Sequence, residues 1–419
     1  MLRTVGLITE YNPFHNGHLH HLRESLKIAD ASVSVAVMSG HFLQRGEPAL
    51  VDKWLRTEMA LAAGVDVVIE LPLPWACSSA PDFACGGVQA LAALGGIDAL
   101  CFGSEAGELE PLRQCAETLL KHAGEVTRKT SRLLREGFNY PQARAQLLAE
   151  LLPDHLETQA LASPNNILGI EYLKALRQTG SGIRPLTIKR IGAGFHQTTV
   201  GEGNIASATG IRKMIAQGES FAALIPPAAL LPLQSALADG QQFCAERYFA
   251  LLLGQILRAP AGLSDYWLVE NGIENRLLAE AEQACDLDGL ISGIKTRQLT
   301  RTRIQRLLVA ILLGIRKQEA ATLLDAGPRY LHLLGVSETG QRFLAKTRKQ
   351  RSIPLLQNFS RVHSSLKRFY GVDTAGHQQA LQQLDLELRA TKVYTLLMDR
   401  WAGGQRNRDY YQGLQQGDS

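Results

Sequence analysis

Two histidines separated by Asn-Gly lie near the N-terminus and offer the clearest chemistry in the chain. His15 and His18 flank Gly17 in the string HNGH, shortly after a β-type run at Thr4 to Thr9. Imidazole N–H groups donate to phosphate oxygens, and glycine lets the backbone approach a ligand closely. At an α-phosphate such donors match the charge that builds in the transition state, so neither histidine needs to be a nucleophile. The motif predicts a phosphate site; a metal site or a structured turn are the alternatives.

A second candidate phosphate element occurs much later in the chain. Ser207 and Thr209 stand at the start of a predicted helix, and Arg212 follows one turn later. Free N–H groups at a helix N-terminus attract anions, so this arrangement suits a β- or γ-phosphate. An ordinary helix cap beside a solvent-exposed arginine is the alternative.

Alternating strand and helix patterns in the first hundred residues are expected to position these side chains. Apolar runs predict strands at 4–9, 32–38, 65–71 and 97–102, and helical spacing occurs at 19–29, 51–63 and 81–94. This rhythm is typical of a parallel sheet with helices on both faces, which binds ligands at the carboxyl ends of its strands. A further strand is expected at 186–191.

Strand patterns become rare beyond about residue 220. Helical patterns cover 243–257, 274–284, 299–315 and 377–401, and prolines at 226 and 227 indicate a linker. The sequence therefore predicts an α/β domain over residues 1–222 and a mainly helical domain over 223–419. Residues 403–419 are polar and are expected to be loosely ordered.

Composition favours a cytoplasmic globular protein. Hydrophobic residues make up 45% of the chain and charged residues 20%. The six cysteines form no C-x-x-C pair, which argues against disulfides and favours a reducing compartment. No signal-peptide pattern is present, and the apolar run at 307–315 is too short to cross a membrane.

Basic residues concentrate in one later segment. Residues 291–370 contain sixteen Lys or Arg and three acids, a net charge of +13, which leaves −9 for the rest of the chain. Such asymmetry predicts a polyanionic partner, although a single charge run is more often a solvated surface. The predicted RNA contacts are Arg297, Arg301, Arg303, Lys346, Arg348, Lys349 and Arg351. A further cluster, Lys367 to Tyr370, adds aromatic rings that can stack on a base.

The longer string GLITEYNPFHNGH, residues 6–18, is far more specific than its last four letters. It resembles the bacterial tRNA(Met) cytidine acetate ligase family, within the H-x-G-H nucleotidyltransferase superfamily. Strings at 39–48, 52–56, 102–105, 163–169 and 189–190 fit the same family. The resemblance covers nearly the whole chain.

The resemblance implies a Rossmann-like, nucleotidyltransferase-like ATP-binding domain followed by a helical, basic tRNA-binding domain. It implies a ligase in which acetate attacks the α-phosphate of ATP, giving acetyl-adenylate and pyrophosphate. The acetyl group then passes to N4 of the wobble cytidine in the anticodon loop of elongator tRNA(Met). Mg²⁺ would arrive bound to ATP, with no protein metal site, and no obligate protein partner is evident.

The resemblance also implies which residues contact ATP, with His15 and His18 as the catalytic pair. These are Ile8, Thr9, Glu10, Tyr11, Asn12, Pro13, Phe14, His15, Asn16, Gly17, His18, His21, Gly103, Asn165, Asn166, Arg190, Ser207 and Arg212. The choice between the two asparagines stays open. Lys53 or Arg56 would orient a phosphate or the acetate, or else form a surface ion pair.

Two other functions are compatible with parts of the sequence. A nucleotidyltransferase that leaves AMP or CMP on a small phosphorylated substrate would share the histidine motif, but it does not explain the basic segment. A non-catalytic RNA-binding protein, with a nucleotide-binding fold that has lost its activity, would explain that segment. The intact His15, Gly17, His18 and Arg212 argue against it.

Overall fold

A mixed, mostly parallel β-sheet forms the centre of the molecule. The computed structural model describes residues 3–138, 140–152, 163–191, 205–270 and 272–417. The strands in these ranges are β1 (Thr4–Thr9), β2 (Val33–Ser39), β3 (Val67–Leu71), β4 (Ala99–Ser104), β5 (Arg184–Lys189), β6 (Leu331–Val336), β7 (Leu355–Leu356) and β8 (Gln415–Gln416). All five strands expected from the sequence are present, within a few residues of their predicted bounds.

Helices cover the sheet and form most of the later chain. They are α1 (Asn16–Ala29), α2 (Lys53–Ala62), α3 (Ala80–Leu94), α4 (Glu110–Lys121), α5 (Ala123–Arg135), α6 (Tyr140–Leu151), α7 (Pro164–Thr179), α8 (Ala208–Gln217), α9 (Pro227–Ala238), α10 (Ala245–Arg258), α11 (Ile273–Ala281), α12 (Leu287–Ile294), α13 (Arg301–Leu313), α14 (Lys317–Ala326), α15 (Glu338–Lys346), α16 (Val362–Tyr370), α17 (Ala375–Leu396) and α18 (Arg408–Tyr411). Within the described ranges, no helix combines the length and apolarity needed to cross a membrane.

Strand order places a ligand cleft beside β1. The order is β5-β4-β1-β2-β3-β6-β7, with β8 also paired to β6. The chain runs from β1 through β2 to β3 on one side and then returns to add β4 on the other side of β1, with these strands parallel. A sheet of this kind opens a crevice at the carboxyl ends of the strands where the order reverses. The predicted α/β class, followed by a mainly helical segment, is confirmed.

The central strands are buried on both faces, which explains their nearly continuous apolar sequences. In β2, Val33, Val35 and Val37 join one hydrophobic cluster, whereas Ala36 and Met38 join the cluster on the opposite face. Successive side chains of a strand point to opposite faces, so a strand covered on both sides needs apolar residues at every position.

The sheet draws strands from both predicted segments. Strand β6 pairs antiparallel with β3, and β7 and β8 pair with β6. The sequence analysis did not identify β6, because a six-residue apolar run cannot be told from a piece of buried helix by periodicity. The division at residue 222 stays a prediction about how the chain is organised.

The expectation of a loosely ordered C-terminus is wrong for the described residues up to 417. Asp409, in α18, is 1% exposed and accepts a hydrogen bond from Lys53. Strand β8 follows and pairs with β6. The polar sequence suggested an exposed segment. It is buried in part by partners that lie several hundred residues earlier in the chain, and local sequence cannot reveal these.

Candidate active site

A cavity of about 560 Å³ opens at the carboxyl ends of β1 and β4. Ile8 and Thr9 reach it from β1, and Phe102 and Gly103 reach it from β4. Its position is the crevice that the strand order predicts. The histidine turn, the start of α8 and the start of α13 also contribute to its described wall.

The histidine turn caps helix α1 with its own imidazole rings. Nδ1 of His15 accepts a hydrogen bond from the Gly17 amide at 3.0 Å, and Nδ1 of His18 accepts one from the His15 amide at 3.3 Å. Because both Nδ1 atoms are acceptors, a neutral ring carries its proton on Nε2. Both rings line the cavity, so the turn presents two Nε2–H donors at a helix N-terminus.

These rings are neutral in the unliganded site. Burial, together with the nearby positive charges of Arg190 and Arg212, lowers the pKa of His15 to about 3. Burial also lowers the pKa of His21 to about 4 and holds that of His18 well below its usual range. Donation from this turn to a phosphate would therefore come from uncharged imidazoles.

Lowered histidine pKa values predict that acid destabilises the unliganded protein. The unfolded chain takes up protons below about pH 6.5, but the folded His15 and His21 resist protonation until about pH 3 to 4. The free energy of unfolding should fall by about 1–2 kcal/mol per histidine between pH 7 and pH 5. Urea unfolding at both pH values measures it. His15→Asn, which keeps a capping oxygen, should reduce this loss of unfolding free energy. An identical loss in the variant would contradict the lowered pKa of His15.

Gly17 leaves the space that the His15 ring occupies. A Cβ built on Gly17 would lie 2.8 Å from Cε1 and 3.0 Å from Nδ1 of that ring. Gly17→Ala is therefore expected to displace His15 and to lower kcat of the reaction catalysed at this site at least tenfold, since a small misplacement of a catalytic group slows a reaction strongly. Gly182→Ala is the matched control, because its Cβ would meet nothing within 4 Å. Equal kcat values in the two variants would contradict the prediction.

The loop before the histidines is held by buried hydrogen bonds. Asn12 Oδ1 accepts from the Leu50 amide at 2.7 Å, and the Asn12 carbonyl accepts from Arg212 at 3.0 Å. Tyr11 adopts a left-handed backbone with φ of 50°, which costs a non-glycine residue about 1–3 kcal/mol and is tolerated where surrounding contacts enforce it. The cavity edge is thus preorganised by contacts distant in sequence.

Basic side chains outnumber acidic ones on the described cavity wall. The basic residues are Arg45, Lys189, Arg190, Arg212 and Arg306, and the acids are Glu10 and Glu47. Arg190 donates to Asn165 Oδ1 at 2.6 Å, which fixes the guanidinium beside the cavity. Arg212 donates to Glu47 and to the Asn12 carbonyl, so the alternative of a solvated arginine is excluded. This positive wall suits a polyphosphate.

Ser207 has the predicted position at a helix start. Its Oγ accepts from the Gly210 amide at 3.1 Å, which makes it the N-cap of α8. Ser207 and Thr209 both line the cavity, and Arg212 extends back over Thr209 from the same helix. The capping role and the cavity-lining role therefore coexist.

Lys53 and Arg56 have neither of the roles expected for them. Both are fully buried. Lys53 Nζ lies 2.7 Å from Glu70 Oε2 and 2.7 Å from Asp409 Oδ1. Arg56 donates to the carbonyls of Glu10, Ser39, Gly40 and Val51, so it ties together the loops that follow β1 and β2. They are structural residues, not surface ion pairs or phosphate ligands.

One group of three potential metal ligands occurs among the described residues. Glu70, His332 and Asp409 converge on a buried point, but Lys53 places its ammonium against both carboxylates. None of the three lines the cavity. Glu10 and Glu47, the acids of the described lining, are already bonded to the Gln44 amide and to Arg212. A divalent ion here would rely mainly on ATP oxygens and water.

Most of the predicted ATP contacts meet at the cavity. Four lie outside its described lining: Pro13, Phe14, Asn16 and Asn166. Phe14 packs behind the turn against His18, and the Asn16 amide donates to the Ala223 carbonyl. Of the two asparagines left open, Asn165 lines the cavity, whereas Asn166 accepts from the Glu105 amide. Contact of each residue with ATP stays a prediction.

An apolar part of the wall was missed by the sequence analysis. Phe83, Phe102, Leu168 and Tyr172 line the cavity, with the rings of Phe102 and Tyr172 5.7 Å apart. Such a wall suits a planar base. Phe83 and Tyr172 carry no local signal, because they read as the apolar faces of ordinary helices.

Two of the basic clusters, the first at residues 295–306 and the second at residues 346–351, lie at different edges of the sheet. In the first cluster, Arg301 pairs with Asp288 and Arg303 with Glu270, whereas Arg306 lines the cavity. The second cluster follows α15, whose preceding Ser337 amide donates to the Asp66 carbonyl just before β3. That point is the amino-terminal edge, a strand length of roughly 20 Å from the cavity.

Comparison with known proteins shows matches along the whole chain. The model of the HIGH Nucleotidyl Transferase family matches residues 2–409. A tRNA(Met) cytidine acetate ligase from Syntrophotalea carbinolica is 53% identical over 411 residues, covering 98% of each chain. A protein of the same name from Acetivibrio thermocellus is 38% identical and covers 99% of each chain.

Solved structures also match this chain over nearly its whole length. Thermotoga maritima TmcAL bound with alpha-thio ATP superposes with a TM-score of 0.90 at 30% identity, covering 99% of this chain and 100% of that chain. The apo form of that protein gives a TM-score of 0.91 at 31% identity, covering 99% of each chain. The agreement extends over strands and helices on both sides of residue 222.

Proposed function

Because this chain belongs to the HIGH nucleotidyl transferase family, we propose that it is an ATP-dependent tRNA(Met) cytidine acetate ligase. The observation that carries the proposal is the cavity at the β1–β4 switch point. There two Nε2–H donors, a positive wall and an apolar wall surround one space large enough for a nucleotide. Relatives that carry this name match the chain from end to end, and a structural relative was solved with an ATP analogue.

In the proposed first step, an acetate oxygen attacks the α-phosphorus of ATP. A carboxylate–phosphorus bond forms, the bond to the β-phosphate oxygen breaks, and pyrophosphate leaves. His15 and His18 donate to the α-phosphate oxygens, while Arg190 and Arg212 neutralise charge on the phosphates. The protein supplies alignment and charge stabilisation and no nucleophile. Mg²⁺ bound to ATP would add to the neutralisation of phosphate charge that Arg190 and Arg212 provide.

In the proposed second step, N4 of the wobble cytidine attacks the acetyl carbonyl of acetyl-adenylate. An amide bond forms, AMP leaves, and the amine loses a proton. The tRNA contacts proposed are Arg297, Arg301, Arg303, Lys346, Arg348, Lys349 and Arg351. Arg301 and Arg303 would exchange their carboxylate partners for phosphates. We place the reaction in the cytoplasm, because its substrate is tRNA.

One isotope experiment tests the function directly. Purified protein with radiolabelled acetate, Mg-ATP and elongator tRNA(Met) should transfer label to the tRNA and release one AMP for each acetyl group. A parallel reaction with ATP labelled at the α-phosphate should leave that label in free AMP. Absence of acetate transfer, or α-label retained on a small phosphorylated acceptor, would overturn the proposal.

A further inference from the structure

Helix α5 carries a row of basic side chains outside the clusters identified from the sequence. Arg128, Arg132 and Arg135 are spaced four and three residues apart, so they share one face of the helix. All three are exposed, whereas Leu133 is buried on the other side. Residues 123–135 contain four basic residues and one acid. The row extends about 10 Å along the helix.

A hydrogen bond attaches this helix to the loop that leads into the cavity. Gln298 Nε2 donates to the Leu134 carbonyl at 3.0 Å, across 164 residues of sequence. This carbonyl belongs to the last turn of α5 and also accepts from the Gly137 amide at 3.2 Å. Gln298 follows Arg297, and the adjoining α13 brings Thr302 and Arg306 into the cavity wall. The carboxyl end of α5 therefore adjoins the basic loop at the cavity mouth.

Two of these arginines have no acidic partner in the part of the chain that the structure describes. Arg132 faces Glu136 at 3.5 Å, but no described carboxylate forms an ion pair with Arg128 or Arg135. Arg301 and Arg303 in the nearby cluster are both paired. Unpaired exposed cations are the ones that neutralise phosphates without first giving up a bonded carboxylate.

We propose that the arginine face of α5 extends the RNA-binding surface at Arg297 and contacts the phosphate backbone of the tRNA whose base enters the cavity. The inference rests on the proposed function and adds a contact surface to it. With the target base at the cavity mouth, the adjoining stem-loop backbone lies along α5. Phosphate contacts of this kind position the RNA and carry no sequence information.

The test is Arg128→Gln combined with Arg135→Gln in the full chain. The Kd for elongator tRNA(Met), measured by fluorescence anisotropy, should rise about tenfold at low salt, and the slope of log Kd against log salt should fall by about one to two. Arg135→Gln alone should produce part of both effects. Pyrophosphate exchange measured without tRNA should equal that of the wild type.

Arg23→Gln combined with Lys27→Gln is the matched control. Both side chains are exposed and lie four residues apart on α1, whose buried residues Leu22 and Ala29 join a different hydrophobic cluster from the one that Val126 of α5 packs against. This variant changes the charge equally and should bind tRNA like the wild type. If both double variants show the same Kd and salt slope while the wild type acetylates tRNA, the α5 surface is refuted and the proposed function stands. A wild type that neither binds nor acetylates tRNA would refute both.

Discussion

Replacing His18 by alanine is expected to lower kcat for acetyl-adenylate formation about 100- to 1000-fold, with a smaller effect on the KM for ATP. The Nε2–H of His18 is one of two donors that the turn presents to the cavity, where we propose that the α-phosphate binds, and its Nδ1 also fixes the turn through the His15 amide. Charge on the α-phosphate oxygens grows as the pentacoordinate transition state forms, so the donor contributes more there than in the ground state.

Acetate-dependent exchange of labelled pyrophosphate into ATP measures this step without tRNA. His377→Ala is the control, because His377 lies at the start of α17 and outside the described cavity lining. It should leave kcat unchanged. If His18→Ala retains more than a tenth of the wild-type kcat at saturating ATP, His18 is not a principal donor.

Replacing Lys53 by methionine is expected to lower the free energy of unfolding by about 3–5 kcal/mol. The ammonium lies between Glu70 and Asp409, and all three side chains are buried. Burial opposes the charge on Lys53, but Asp409 and Glu70 outweigh it and raise the pKa of Lys53 above its usual range. Removing the cation would leave two buried carboxylates close together, with the His332 ring still bonded to Glu70 but no ammonium between them.

Urea denaturation of the full chain measures this effect, with Lys27→Met as the matched control. Lys27 is a largely exposed lysine whose nearest carboxylate, on Glu24, is 3.7 Å away, so its loss should cost under about 1 kcal/mol. Adding Glu70→Gln and Asp409→Asn to Lys53→Met should recover part of the loss, since no buried charge then remains unpaired. A Lys53→Met protein with wild-type stability and no pyrophosphate exchange would instead restore the phosphate-binding role.

Local patterns predicted the elements around the cavity. Strands β1 to β4 are apolar at nearly every position because both faces are covered, and such runs are readable directly. The histidine turn was identifiable because imidazole, glycine and a following helix are close in sequence. The string at residues 6–18 was specific enough to indicate the family, which the match over residues 2–409 confirmed.

Contacts between segments that are distant in the sequence could not be predicted from local patterns. Lys53 looked like an exposed ligand because Asp409, which neutralises it, lies 356 residues later. The polar C-terminus looked loosely ordered for the same reason. Arg306 looked like part of a basic surface, yet it is mostly buried at the cavity wall and donates to the Gln44 carbonyl at 2.6 Å.

By itself, the sequence determined the α/β class, the family and the residues proposed to meet the phosphates, because each depends on patterns only a few residues long. Only the tertiary structure decided which charges are buried and paired, which asparagine lines the cavity, and which helix carries basic side chains to its mouth. Burial and pairing depend on what packs against a side chain, and here the partners come from segments hundreds of residues apart. The neutral state of His15 is the sharpest example: its pKa is set by burial and by Arg190 and Arg212, neither of which is near it in the sequence.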